Sequence, residues 1–175
     1  MNSNYEDDDF NPADLEAPVE YIHICGYKNE KNAGDEDGNP PTNHWATFLQ
    51  ISERESVRLD MAPGYGSDGQ RGKINIASKT YVCSHNAIKA LTFPLRAQAT
   101  VRTIIDIINS NGRDRYNFTE EWEGCRFWMS TFISDLEGSG LVAPGSANAT
   151  WDAVNLYWRY PDGSERREVK HGTFY

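Results

Sequence analysis

From Ser56 to Met61 the chain alternates polar and apolar residues, which puts Val57, Leu59 and Met61 on one face of an extended segment. The tract before it, Asn43 to Ile51, is aromatic and apolar, and polar residues Ser52 to Glu55 separate the two. Residues 44–51 and 56–61 are therefore predicted to form a β-hairpin. Val19 to Tyr27 has β-rich composition and predicts a first strand, and Lys28 to Pro41 supplies the Asn, Gly, Asp and Pro of a loop. After the turn-rich Pro63 to Gly69, residues Gly72 to Ala77 and then Thr80 to Ser84 predict one or two more strands of the same antiparallel sheet. The period then changes. Val101, Ile104, Ile105 and Ile108 fall at i, i+3, i+4 and i+7 and stop at Asn111-Gly112, predicting a helix over about 98–110. A second stripe, Cys125, Met129, Phe132, Ile133 and Leu136, ends at Gly138 or Gly140 and begins either at Thr119 or close to Gly124. The last tract, Asn155 to Tyr175 around Pro161-Asp162-Gly163-Ser164, reads as a terminal hairpin.

An antiparallel sheet packed against two main helices makes the expected class α+β. Residues 1–18 carry five acids between Glu6 and Asp14 and little to bury, so they are expected to be a mobile acidic arm on a single α+β domain spanning 19–175. A chain of 175 residues suffices for one such core. Its 17 Lys and Arg against 26 Asp and Glu give a net charge of −9. That is the wrong sign for a protein whose affinity comes from neutralising phosphates, so nucleic acid is not expected as a partner. No run approaches the 18 or so apolar residues of a membrane span, and MNSNYEDDDF lacks the basic start and apolar stretch of a secretory signal. The expectation is a soluble cytoplasmic protein without a membrane partner, in which the sequons at Asn117 and Asn148 are chance.

Cys25, Cys83 and Cys125 lie 58 and 42 residues apart with no CxxC pair, too sparse for a disulfide framework or a thiolate zinc site, and each is a candidate free thiol. A thiol becomes nucleophilic as thiolate, favoured by a helix amino terminus and by a neighbouring imidazole. Cys125 is placed for the first, with Gly124 allowing close backbone approach and N–H groups to hold an oxyanion. His44 at the head of the aromatic strand is placed for the second. A hairpin turning near Ser52 and Glu53 brings Asp60 back to about the level of His44, where its carboxylate orients the imidazole. Against this stand two facts: a cysteine on an apolar helical stripe is commonly core, and Glu120, Glu121 and Glu123 beside Cys125 raise a thiol pKa. His85, after Cys83-Ser84, is the second-ranked histidine. His23 and Cys25 make half a metal site, and Asp35-Glu36-Asp37-Gly38 lacks the ligand spacing of a calcium loop, so no metal and no cofactor are expected. Arg113-Asp114-Arg115-Tyr116 reads as an anion site or as a salt-bridged helix end. The five tryptophans, Trp45, Trp122, Trp128, Trp151 and Trp158, either line a cavity or fill the core.

The order His44-Trp45 on an early strand, a helix, then Tyr116-Asn117-Phe118 leading to Gly124-Cys125-Arg126-Phe127-Trp128 resembles circularly permuted papain-like proteins of the lecithin retinol acyltransferase type. Residues 43–142 resemble more closely an uncharacterised fungal domain family with a His-Trp strand, an Arg-Leu-Asp-Met strand and a Gly-Cys-Arg-Phe-Trp helix. Gly124 stands where the first group has asparagine. That resemblance implies Cys125 as nucleophile, His44 as base and Asp60 as orienting residue, with an amide or thioester acyl substrate. Trp45, Gly124, Arg126, Trp128 and His85 are the substrate-binding candidates. Domains of this size also occur beside natural-product pathways, which implies an alternative: a cyclase that holds a reactive polyketide-peptide in an aromatic pocket without a covalent step. A non-catalytic interaction domain is the third reading, if side chains fill the pocket.

Overall fold

A computed structural model describes residues 1–29 and 40–175; the Asp35-Glu36-Asp37-Gly38 turn lies outside the described residues. In chain order the elements are β1 (Tyr5–Glu6), β2 (Tyr21–Lys28), β3 (Asn43–Gln50), β4 (Ser56–Tyr65), β5 (Arg71–Lys79), β6 (Lys89–Pro94), α1 (Val101–Ser110), β7 (Tyr116–Asn117), α2 (Cys125–Gly138), α3 (Ser146–Val154), β8 (Leu156–Trp158), β9 (Ser164–Arg166) and β10 (Thr173–Phe174). The main sheet runs β10-β7-β5-β4-β3-β2-β6 with antiparallel neighbours throughout, and β1 joins β5 in parallel. The fold is α+β, as the patterning predicts. Among the described residues, no helix is long and apolar enough to cross a membrane.

Alternation decides which residues face the helices. Ile22 pairs with Leu49, Leu49 with Val57, and Leu59 with Ile76, so these side chains share one face of the sheet. That face is sealed by Val101, Ile104, Ile105 and Ile108 of α1 and by Trp128, Met129, Phe132, Ile133 and Leu136 of α2, all buried in one core. Helix α1 starts on a capping box between Thr100 and Thr103. It ends at Gly112, at φ 68°, where the Arg113 and Gly112 N–H groups return to the Ile108 and Asn109 carbonyls. The opposite face of the sheet is mostly polar, with a small second cluster of Cys25, Ala46 and Phe48.

Several expectations are corrected. Residues 1–18, expected as a mobile arm, are laid along the sheet edge: Tyr5 and Phe10 are buried, Tyr5 Oη donates to Asn109 at 2.8 Å, and Lys73 pairs with Glu6 at 2.6 Å. The two aromatic residues supply the burial that the acids conceal. Thr80 to Ser84 is not a strand; the sheet's last long strand is β6, and residues 80–88 cross over the polar face to reach it. The terminal hairpin is only the short β8–β9 pair, after which the chain returns to the main sheet as β10 beside β7. Helix α3 has no amphipathic pattern to predict it, because two of its four buried positions are the polar Ser146 and Thr150. Arg113 takes the salt-bridge reading, gripping Asp135 with two bonds at 2.7 and 3.2 Å.

Candidate active site

The β3–β4 ladder stops at Thr47↔Leu59, although β4 continues alongside β5 to Tyr65. Beyond that point Asn43 to Ala46 have no β4 partner, and this open stretch of backbone is where the first residue of α2 arrives. Cys125 lies with its Sγ 4.0 Å from the Asn43 carbonyl, beside the backbone N–H of Trp45. Asn43 is itself buried and anchored, its side chain bonded to the Tyr27 and Trp158 carbonyls and accepting from the Trp158 N–H at 2.7 Å.

His44 and Asp60 lie on the polar face of the same two strands. One step past Leu59, Asp60 is diagonal to His44, a separation that side chains of this length bridge. His44 Nε2 meets Asp60 Oδ1 at 2.6 Å, and the imidazole lies close enough to the Cys125 thiol for the two to shift one another's charge. The structure thus brings together three of the residues singled out in the sequence, in the order thiol, imidazole, carboxylate.

Burial and charge oppose one another at each of the three. Burial disfavours a charged imidazole, but the Asp60 charge and hydrogen bond, with Cys125 added, hold His44 well above its usual range. For Cys125, burial pushes the thiol up, while the His44 hydrogen bond and charge, the Trp45 N–H and the Arg126 charge bring it below the ordinary thiol value. Asp60 is likewise pushed up by burial and drawn down further by His44 and Arg58. The arrangement favours a thiolate–imidazolium pair. The acidic neighbours do not prevail: Glu120 and Glu121 are exposed to screening water, and burial raises the Glu123 carboxyl toward its neutral form.

Helix α2 begins at Cys125, which settles the choice between the two starts. Gly124 is its cap, at φ 149°, and has no side chain to occupy the first-turn N–H groups. A Cβ there would come within 2.8 Å of Tyr116 Oη, which donates to the Gly124 carbonyl at the same distance. No side chain fits at position 124 beside Tyr116 without a shift. Just before the helix, Trp122 is held at φ 61°, a costly conformation for a bulky residue, by the Thr119–Glu123 turn.

A cavity of about 410 Å³ opens over these groups, lined by Tyr27, Lys28 and Thr42 on one side and by Phe118, Trp122 and Glu123 on the other. Gly124 lines it too. The other substrate-binding candidates need correction. Trp45 and Trp128 are core residues, each 1% exposed; Trp45 packs under Gly26, and the Trp128 indole donates to the Arg113 carbonyl. His85 is exposed on the 80–88 crossover and does not line the cavity. Arg126 borders the cavity, but its guanidinium is buried and bonded to the Val154, Arg167 and Glu168 carbonyls, so it braces the carboxyl-terminal segment. Sequence reading missed Tyr27 and Thr42 as wall residues; Tyr27 is the ladder partner of His44, a signal that exists only once register is known. Among the described residues, no three His, Cys, Asp or Glu side chains gather as a metal site.

Residues 22–175 match the family described as Domain of unknown function (DUF7770), and the chain belongs to that family. No curated protein and no solved structure matches it.

Proposed function

We propose that this member of the DUF7770 family is a cysteine-dependent acyl enzyme acting on a small amide or thioester. The observation that carries the reading is the His44 imidazole, bonded to Asp60 at 2.6 Å and set beside the Cys125 thiol at the start of a helix, in one cavity. In the first step the Cys125 thiolate attacks the acyl carbon and a C–S bond forms. The charge that develops on the carbonyl oxygen faces the uncapped N–H groups at the start of α2. His44 then gives its proton to the leaving nitrogen or sulfur, and that bond breaks. Neutral His44 next takes a proton from water, or from an acceptor nucleophile, which attacks the thioester and frees Cys125. Asp60 keeps the ring oriented throughout and stabilises its charged form. The free thiols fit the reducing cytoplasm, where we place the protein.

The aromatic walls at Tyr27, Phe118 and Trp122 favour a second reading, a cyclase that holds a reactive small molecule without covalent attachment. A cavity of about 410 Å³ falls in the size range of small-molecule sites and fits a non-catalytic interaction domain less well. One experiment separates the first two readings. With a panel of activated esters and acyl thioesters, Cys125→Ala and Cys125→Ser should each lose turnover by about a thousandfold or more, and wild type should accumulate an acyl adduct on Cys125 visible by mass. A Cys125→Ala protein that keeps most of its rate on a cyclisable substrate, with no adduct in wild type, would transfer the assignment to the cyclase.

A further inference from the structure

Residues 80–88 connect β5 to β6 by crossing the polar face of the sheet, and they are pinned at both ends. Ser56 Oγ donates to the Tyr81 carbonyl at 2.6 Å, and the Ile88 N–H donates to the Gly26 carbonyl at 2.8 Å. Beneath the crossover lies the second apolar cluster, in which Cys25 on β2 is fully buried while Cys83 and Ala87 pack onto it from above. The two thiols, 58 positions apart in sequence, come together in this cluster. Both are free. Tyr27 extends the contact toward the cavity: its ring belongs to the same cluster, its hydroxyl lies against Cys25 and Ser84, and it lines the cavity next to His44.

We propose that Cys25 and Cys83 form a peroxide-responsive dithiol, a modification site separate from Cys125, whose disulfide staples the crossover to the sheet. The two sulfurs are not equivalent. Cys83 is half-exposed, and the Cys25 S–H and the Ser84 N–H draw its thiol down, with burial opposing them. Cys25 is buried, and the Cys83 hydrogen bond and burial push its thiol up. Cys83 is therefore the sulfur that meets oxidant. Its thiolate attacks a hydroperoxide, the O–O bond breaks, an alcohol or water leaves, and Cys83 becomes a sulfenic acid. The Cys25 sulfur then attacks Cys83, an S–S bond forms, the S–O bond breaks, and the hydroxyl leaves with the Cys25 proton as water. A small dithiol reverses the step by becoming a cyclic disulfide itself. Closure ties Ser84 to β2 beside Tyr27, so the redox state sets the rigidity of the crossover behind one cavity wall.

The test uses wild type and Cys125→Ala side by side, so that it does not depend on the acyl-enzyme reading. Each is treated with stoichiometric hydrogen peroxide, blocked, digested and mapped by mass. The expected result in both is a Cys25–Cys83 linked peptide, a Tm higher by about 5 °C or more, and reversal of both by dithiothreitol. Cys83→Ser should abolish the link and the shift. Cys25→Ala should leave Cys83 as a sulfenic acid that dimedone traps, a readout that needs no stability measurement. Cys83 passing to sulfinic acid while Cys25 remains alkylatable would overturn the proposal, as would a link through Cys125 or no reaction at either sulfur.

Discussion

An imidazole held between a carboxylate and a thiol has its charge decided by two neighbours and opposed by its burial; it is raised, while the carboxylate and the thiol are both lowered. His44 is raised, so its contribution to stability is complete below the ordinary imidazole value of about 6.5 and is lost as pH rises through the folded value. Asp60 is lowered, so its contribution is present above the ordinary carboxyl value of about 3.9 and is lost as pH falls through the folded one. Cys125 is lowered, so thiolate persists at a pH where a solvated cysteine is protonated. Asp60→Asn removes the charge that supports the imidazolium. It should slow iodoacetamide alkylation of Cys125 near pH 7 by on the order of tenfold, one pK unit, and flatten the fall in Tm above about pH 6.5. An alkylation profile identical to wild type would show that Asp60 does not govern the pair. At this scale the sequence reading places His44, Asp60 and Cys125 together because two came from hairpin register and one from a helix start. It misassigned Trp45 and Trp128, because residue type does not say which face of a strand or helix a large ring occupies.

Among the elements, α2 does two jobs with adjacent residues. Cys125 meets the open edge of β3, and Arg126, turned the other way, collects the Val154, Arg167 and Glu168 carbonyls that carry the chain from α3 toward β10. Loss of that side chain leaves three carbonyls without their donor, each costing about 1 kcal/mol or more. Arg126→Met should therefore destabilise the protein by about 2–4 kcal/mol, comparable with the 2–5 kcal/mol expected for Phe132→Ala in the core. Denaturant melts check both; a loss under about 1 kcal/mol at Arg126 would mean the carboxyl-terminal segment is held elsewhere. The amphipathic period of α1 was legible because all four of its buried residues are aliphatic. In α3 the buried face mixes Ser146 and Thr150 with Ala153 and Val154, and β10 is two residues long; neither has a local pattern to read.

For the molecule as a whole, the acidic amino-terminal segment is a strand and a clamp. Asn2 and Asn4 both donate to Asp114 at 2.9 Å, Arg71 donates to Asn4 at 2.7 Å, and Ser78 donates to Asp14 at 2.6 Å, tying β5 and the end of α1 to one stretch of chain. Tyr5 and Phe10 add the apolar burial, each aromatic ring contributing about 1.5–3 kcal/mol. A chain lacking residues 1–18 should lose about 3–6 kcal/mol in urea melts while leaving the α2 end of the cavity, which those residues do not line, in place. An unchanged midpoint would return the segment to the status of a solvated arm.

Local chemistry determined the α+β class, the hairpin, the two amphipathic helices and the thiol at a helix start, because each depends on residues a few positions apart. Which of several polar residues share a site depended on where a ladder ends and how strands are ordered, and these follow from packing between distant segments. Asp60 reaches His44 because β3 and β4 part after Thr47↔Leu59, leaving the gap that Cys125 enters. Position 124 takes glycine because Tyr116 stands where a side chain would go. Cys25 lies beneath Cys83, and Tyr5 inside the core, for the same reason: strand order brings their neighbours across the sheet, and only the folded chain specifies that order.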